Sequence, residues 1–143
     1  MRRLLALLPL ALAAAACGGG GSSTPATTAS APPAAKKLHV ALTAQSHHPQ
    51  LGHTWTYEVH VTDATTGKPV PAKIHLQFVF GGAPVGEVGR HAVRNGIWKE
   101  TIPATGKNAF PPAAVGPKLQ LRATVTSPGY RRAVASYAVS VVK

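Results

Sequence analysis

The sequence predicts an all-β fold: a seven-stranded sandwich of two sheets, preceded by an export signal and a disordered linker. Three observations carry this reading. From Leu38 onward, apolar and polar residues alternate with period two in short runs separated by turn residues. After the N-terminal segment, no stretch repeats at helical spacing over a useful length. Pro69 and Pro71 fall between two of the runs, where they could not donate to the ladder of a continuous hairpin. An arch from one sheet to the other removes that conflict.

The N-terminal segment, residues 1–17, reads MRRLLALLPLALAAAAC. Arg2 and Arg3 form a positive start, Leu4 to Leu12 an apolar run interrupted by Pro9, and Ala13 to Ala16 a small-residue site. These are the parts of a secretory signal, and the run is too short to span a bilayer. Cys17 is the only cysteine, so it has no partner for an intramolecular disulfide. The run from Leu12 to Cys17 resembles a bacterial lipobox, with Ala14 where that family usually has leucine. The resemblance implies a diacylglycerol on the Cys17 sulfur, acyl chains such as palmitate, and Cys17 as the first residue after cleavage. Two acyl chains give stable anchoring where one does not. The expected division is therefore 1–16 signal peptide, 17–37 lipidated cysteine and linker, and 38–143 folded domain. The expected location is the extracytoplasmic face of a bacterial cell membrane.

Residues 18–37 read GGGGSSTPATTASAPPAAKK and hold no large apolar side chain, so they cannot bury a core. As a coil they would separate their ends by roughly 25 Å. Loss of Arg2 and Arg3 from the 15 basic residues leaves 13 against 4 acidic ones, a formal charge of +9. Such charge suits anionic lipid heads or anionic wall polymers, or simply keeps the domain soluble. Nucleic acid is not an expected partner of an exported, anchored chain.

The strands follow in order. Leu38, Val40 and Leu42 share a face of the first. Trp55, Tyr57, Val59 and Val61 define the second, and Ala72, Ile74, Leu76, Phe78 and Phe80 the third. Val88 to Arg94 is a weak fourth strand, and Gly96 to Ile102 a short fifth. Leu119, Leu121, Ala123 and Val125 mark the sixth, and Ala135, Tyr137, Val139 and Val141 the seventh. The residues from Val61 to Ile74, with Asp63 and the Thr66-Gly67-Lys68-Pro69-Val70 turn, are similar to bacterial immunoglobulin-like and carboxypeptidase-regulatory-like domains. The later Ser127-Pro128-Gly129-Tyr130 belongs to the same likeness. It implies an immunoglobulin-like sandwich serving as a spacer, adhesion or ligand-binding module, with no catalytic residue.

Alternating strands place the linker and the second, fourth and sixth connections at one end. A basic cluster of Lys36, Lys37, Lys68, Arg94, Arg131 and Arg132 is expected there, facing anionic lipid. The other end is expected to hold the longer loops, 45–53, 81–87 and 103–117, where binding usually resides. Its candidate binding residues are His47, His48, His53, Lys107 and Phe110, with Phe110 either an exposed anchor or a lid on the core.

Glu58, Asp63, Glu87 and Glu100 lie on different strands or turns, and no serine has a nucleophile-elbow context. The expectation is no enzyme, no catalytic residue, no cofactor and no dedicated metal site. The leading functional reading is a binding or adhesion module that contacts an envelope protein or polymer. One alternative is Zn(II) or Cu(II) held by the histidine loop. The other is an accessory subunit of an envelope complex.

Overall fold

The computed structural model describes residues 34–143. The signal segment, Cys17 and most of the linker lie outside the described residues. Seven strands form in order: β1 (Leu38–Ala44), β2 (Trp55–Asp63), β3 (Ala72–Phe80), β4 (Ala83–Val93), β5 (Ile97–Ile102), β6 (Leu119–Thr126) and β7 (Ala133–Val139). Among the described residues, one 3-10 turn spans Pro112–Ala114. The strands make a three-stranded sheet, β1-β2-β5, and a four-stranded sheet, β4-β3-β6-β7, both antiparallel. This is the immunoglobulin-like two-sheet sandwich.

The alternation of β2 places Trp55, Tyr57, Val59 and Val61 inward, all fully or nearly fully buried. They face Ile74 and Leu76 of β3, Leu121, Ala123 and Val125 of β6, and Val139 of β7 within one core cluster. Each fully buried Val, Leu or Ile contributes about 1.5–3 kcal/mol relative to exposure, which makes this two-sided face the main stabiliser. The arch from β2 to β3 leaves one sheet and enters the other, as Pro69 and Pro71 require. Val70 at its centre is buried, and its N–H donates to the Val61 carbonyl at 3.1 Å. The return crossing from β4 to β5 is held by Gly96. Val61 N–H donates to its carbonyl at 2.7 Å, and a Cβ on Gly96 would sit 2.7 Å from the Val61 oxygen.

The fourth strand corrects the sequence expectation. Residues 81–87 are not a long loop: β4 begins at Ala83, paired with Phe80 across Gly81 and Gly82. Both glycines have positive φ, 56° and 86°, which a two-residue hairpin turn of the primed type demands. Two register shifts then follow, where Val88 and Val85 are extra residues opposite β3. A bulge breaks period two locally, which is why the alternation before residue 88 was not legible.

Backbone pairing also starts before β1. Lys36 N–H donates to the Gly129 carbonyl at 3.0 Å, and Arg131 N–H to the Lys36 carbonyl at 2.8 Å. At the other extremity, β7 ends at Val139 and the chain continues through isolated bridges. Val141 pairs with Val115 and Val142 with Gln50. All these pairings and the whole core cluster lie between Lys36 and Val142, so this segment carries its own core.

Candidate functional site

The end of the sandwich opposite Lys36 gathers the β1–β2 loop, the β3–β4 turn and the β5–β6 connection. Trp55 starts β2 here and ties the first loop down, its Nε1 donating to the Ser46 carbonyl at 2.8 Å. Phe110 closes the core from the β5–β6 connection. Its ring centroid lies 5.8 Å from that of Trp55 and 5.4 Å from that of Phe78, the latter edge-on. At 9 % exposure it is a lid, not an exposed anchor. Pro111 and the 3-10 turn after it fix the direction in which the chain leaves the lid. Residues 140–142 clamp both long loops. Ser140 N–H donates to His47 O at 2.8 Å, Leu51 N–H to Val142 O at 2.8 Å, and Gly116 N–H to Val141 O at 3.3 Å.

Two clefts flank Phe110 and Pro111. One, of about 290 Å³, is apolar, lined by Phe78, Phe80, Val85, Ala114, Pro117 and Leu119. Phe80 and Val85 stand at its rim, 50 % and 58 % exposed. Phe80 follows the inward alternation of β3 but lies at the very end of the strand, so little covers it. The other cleft, of about 240 Å³, is polar, with Glu87, Glu100, Lys107 and Asn108 on its walls.

The carboxylates of this second cleft are already engaged. Glu100 Oε2 accepts from Tyr57 Oη at 2.5 Å and from Trp98 Nε1 at 3.2 Å. Buried His91 Nε2 faces the same oxygen at 3.4 Å without completing a hydrogen bond. His91 stacks on Trp98 with centroids 4.1 Å apart, and a Cβ on Gly89 would meet its ring at 2.8 Å. Burial first, and Glu100 next, push the Tyr57 phenol up. The cluster thus joins the edge strands β4 and β5, one from each sheet. Glu87 accepts from His75 at 2.6 Å and from Gln77 at 3.0 Å. The Gln77 bond, with His75 beside it, holds Glu87 below the usual carboxylate range. Both carboxylates are thus engaged by neighbouring side chains. Sequence reasoning missed the Glu100 cluster because its members lie on three strands. Only the alternation that pairs Tyr57 with Glu100 in register could have signalled it.

The other candidate residues separate. His47 stacks on Tyr137, with centroids 4.1 Å apart and planes 4° from parallel. Its Nδ1 lies 2.8 Å from the Ala138 carbonyl, which can only accept, so that nitrogen carries the proton. His48 is exposed, and His53 Nδ1 approaches the Leu51 carbonyl at 3.3 Å. Among the described residues, no three His, Cys, Asp or Glu side chains converge on a metal-sized site. Lys107 lies beside Phe110 at the polar cleft. Lys36, Lys37, Lys68, Arg94, Arg131 and Arg132 are all exposed at the opposite end. Asp63 forms no ion pair with them. It is buried and accepts from Thr65 N–H at 2.8 Å, Thr66 N–H at 2.9 Å and Tyr130 Oη at 2.9 Å. Those bonds, the backbone ones first, hold its carboxyl down at about 2.

No known family's model matches the chain, and no curated protein matches its sequence. Solved structures resemble it in fold. A CARDB domain from Pyrococcus furiosus, solved with di-metal ions, is 19 % identical with a TM-score of 0.49, over 76 % of this chain and 94 % of that one. A domain of the outer membrane lipoprotein Omp28 from Porphyromonas gingivalis is 10 % identical with a TM-score of 0.48, over 76 % and 92 %. The sporulation control protein Spo0M from Bacillus subtilis is 12 % identical with a TM-score of 0.45, over 75 % and 50 %.

Proposed function

We propose that this protein is a non-catalytic binding module of the bacterial cell envelope, held at the extracytoplasmic membrane face by a lipid on Cys17. The distal end is its working surface. One observation carries the reading: an apolar groove opens there with Phe80 and Val85 half exposed or more at its rim. An apolar recess beside a cleft lined by Lys107, Asn108 and Glu87 matches the usual make-up of a binding surface, an apolar centre with polar flanks. The partner that fits is an envelope protein offering one or two apolar side chains. The anchor is supported by the Leu12–Cys17 segment and the sole cysteine.

Photo-crosslinking in intact cells tests the surface, with the probe replacing Val85 in one strain and Lys68 at the opposite end in another. A single recurrent protein adduct from Val85, absent with Lys68, is the expected result. Adducts from Lys68 alone would move the working face to the membrane end and overturn the reading. Cys17→Ser tests the anchor separately: the protein should leave the membrane fraction and stay in the soluble exported one.

A further inference from the structure

The outer face of the four-stranded sheet carries a second surface, independent of the distal groove. Two adjoining open clefts of about 680 Å³ and about 580 Å³ share Lys73, Ala92 and Thr126 as a common wall. Arg94 lines the first; Arg90 and Arg132 line the second. Lys73 belongs to β3, Arg90 to β4, Arg94 follows β4, and Arg132 precedes β7. In the order β4-β3-β6-β7 these cations cross the full width of the sheet, about 14 Å at the usual strand spacing. Thr124 and Thr126 of β6 fill the middle with hydroxyls.

Among the described residues, none of these four cations forms an ion pair with a carboxylate. The ion pairs among the described residues join Glu58 to His60 and Lys99, Glu87 to His75, and Glu100 to His91. Glu87 adjoins the face, where His75 and Gln77 hold it and the Arg90 charge favours its ionised form from beyond ion-pair distance. Like charges on neighbouring strands disfavour one another. Arg90 alone feels a carboxylate, that of Glu87, so folding gains little from placing them across one trough, whereas an anionic ligand would gain from all of them at once.

We infer that this trough binds a linear, phosphate-bearing polymer of the envelope. A single small anion would meet one or two of the cations; a chain with repeating phosphates would meet the row. A flat lipid surface would reach the exposed end residues Lys36, Lys37, Lys68 and Arg131 more readily than cations lining a recess. No Phe, Tyr or Trp lines either cleft, and the two imidazoles of the second are engaged, His75 by Glu87 and His91 against Trp98, so a single-stranded nucleic acid would find no free stacking platform.

The test uses residues 34–143 and long-chain inorganic polyphosphate as the probe, with affinity measured over a range of salt concentrations. The triple variant Lys73→Gln, Arg90→Gln, Arg132→Gln should bind at least ~10-fold more weakly at low salt, with a salt slope reduced by about 2. The variant Lys36→Gln, Lys37→Gln, Lys68→Gln should keep near-native binding. Thermal melts check that both are folded, and the three single face variants replace the triple if it is not. Equal loss in both triples, or native affinity in the face triple, would overturn the inference. So would tighter binding to oligo(dT) or to phosphatidylglycerol vesicles than to polyphosphate. A failure here leaves the Val85 adduct untouched, and the reverse holds too.

Discussion

Asp63 shows how one side chain can organise an end of the sandwich. Its carboxylate closes the turn after β2 through Thr65 and Thr66 and reaches across to Tyr130 in the β6–β7 turn. Because its folded pKa of about 2 lies below the unfolded value, it contributes stability in full above about pH 4. That contribution is lost as pH falls from about 4 towards 2. Asp63→Asn should lower the melting temperature at pH 7 and flatten its fall across this window, read by calorimetry at several pH values. Phe110 acts at the other end. Phe110→Ala should cost about 3–5 kcal/mol in a denaturant titration, since it empties the space between Trp55 and Phe78. Hydrogen exchange should rise most in residues 103–117.

The elements show where sequence patterns suffice. β2 was legible residue by residue because it is central in its sheet and packed on one face only, so polarity follows the pleat. The Pro69–Pro71 arch was legible because proline cannot serve a ladder. The first part of β4, before Val88, was not, because its two bulges shift the residue facing inward and its glycines carry no polarity signal. The lid role of Phe110 was left open by a loop whose sequence names no direction, and the Glu100 cluster depends on the β2–β5 register and on the approach of His91 from the other sheet. The same contrast sets a test on glycines. Gly67 and Gly96 both have positive φ, but only Gly96 is crowded, by Val61 and Pro69. Gly67→Ala should cost about 1–2 kcal/mol from the left-handed backbone alone. Gly96→Ala should cost clearly more, because the Val61 oxygen is backbone and cannot move aside; paired chemical denaturation curves decide this.

Taken whole, the molecule has two ends of opposite character and one charged flank. The apolar groove lies at one end, the Lys36–Arg132 cluster at the other, and the unpaired cations of the sheet face between them. The groove is separate from the two charged surfaces, which share Arg94 and Arg132 where the face meets the end, so on the proposed reading the protein could hold a polymer along its side and a protein at its tip. The pairing of Lys36 with the β6–β7 turn gives this arrangement a mechanical meaning. If the segment before Lys36 is a tether, as proposed, a tug through it enters at Lys36 and runs along β1, parallel to the strand axes. The bonds to Gly129 and Arg131, and the seven register pairs of β1 with β2, lie across that pull. They are loaded together in shear and do not peel one at a time, so a domain tethered here and gripped at its far end resists along its strongest direction.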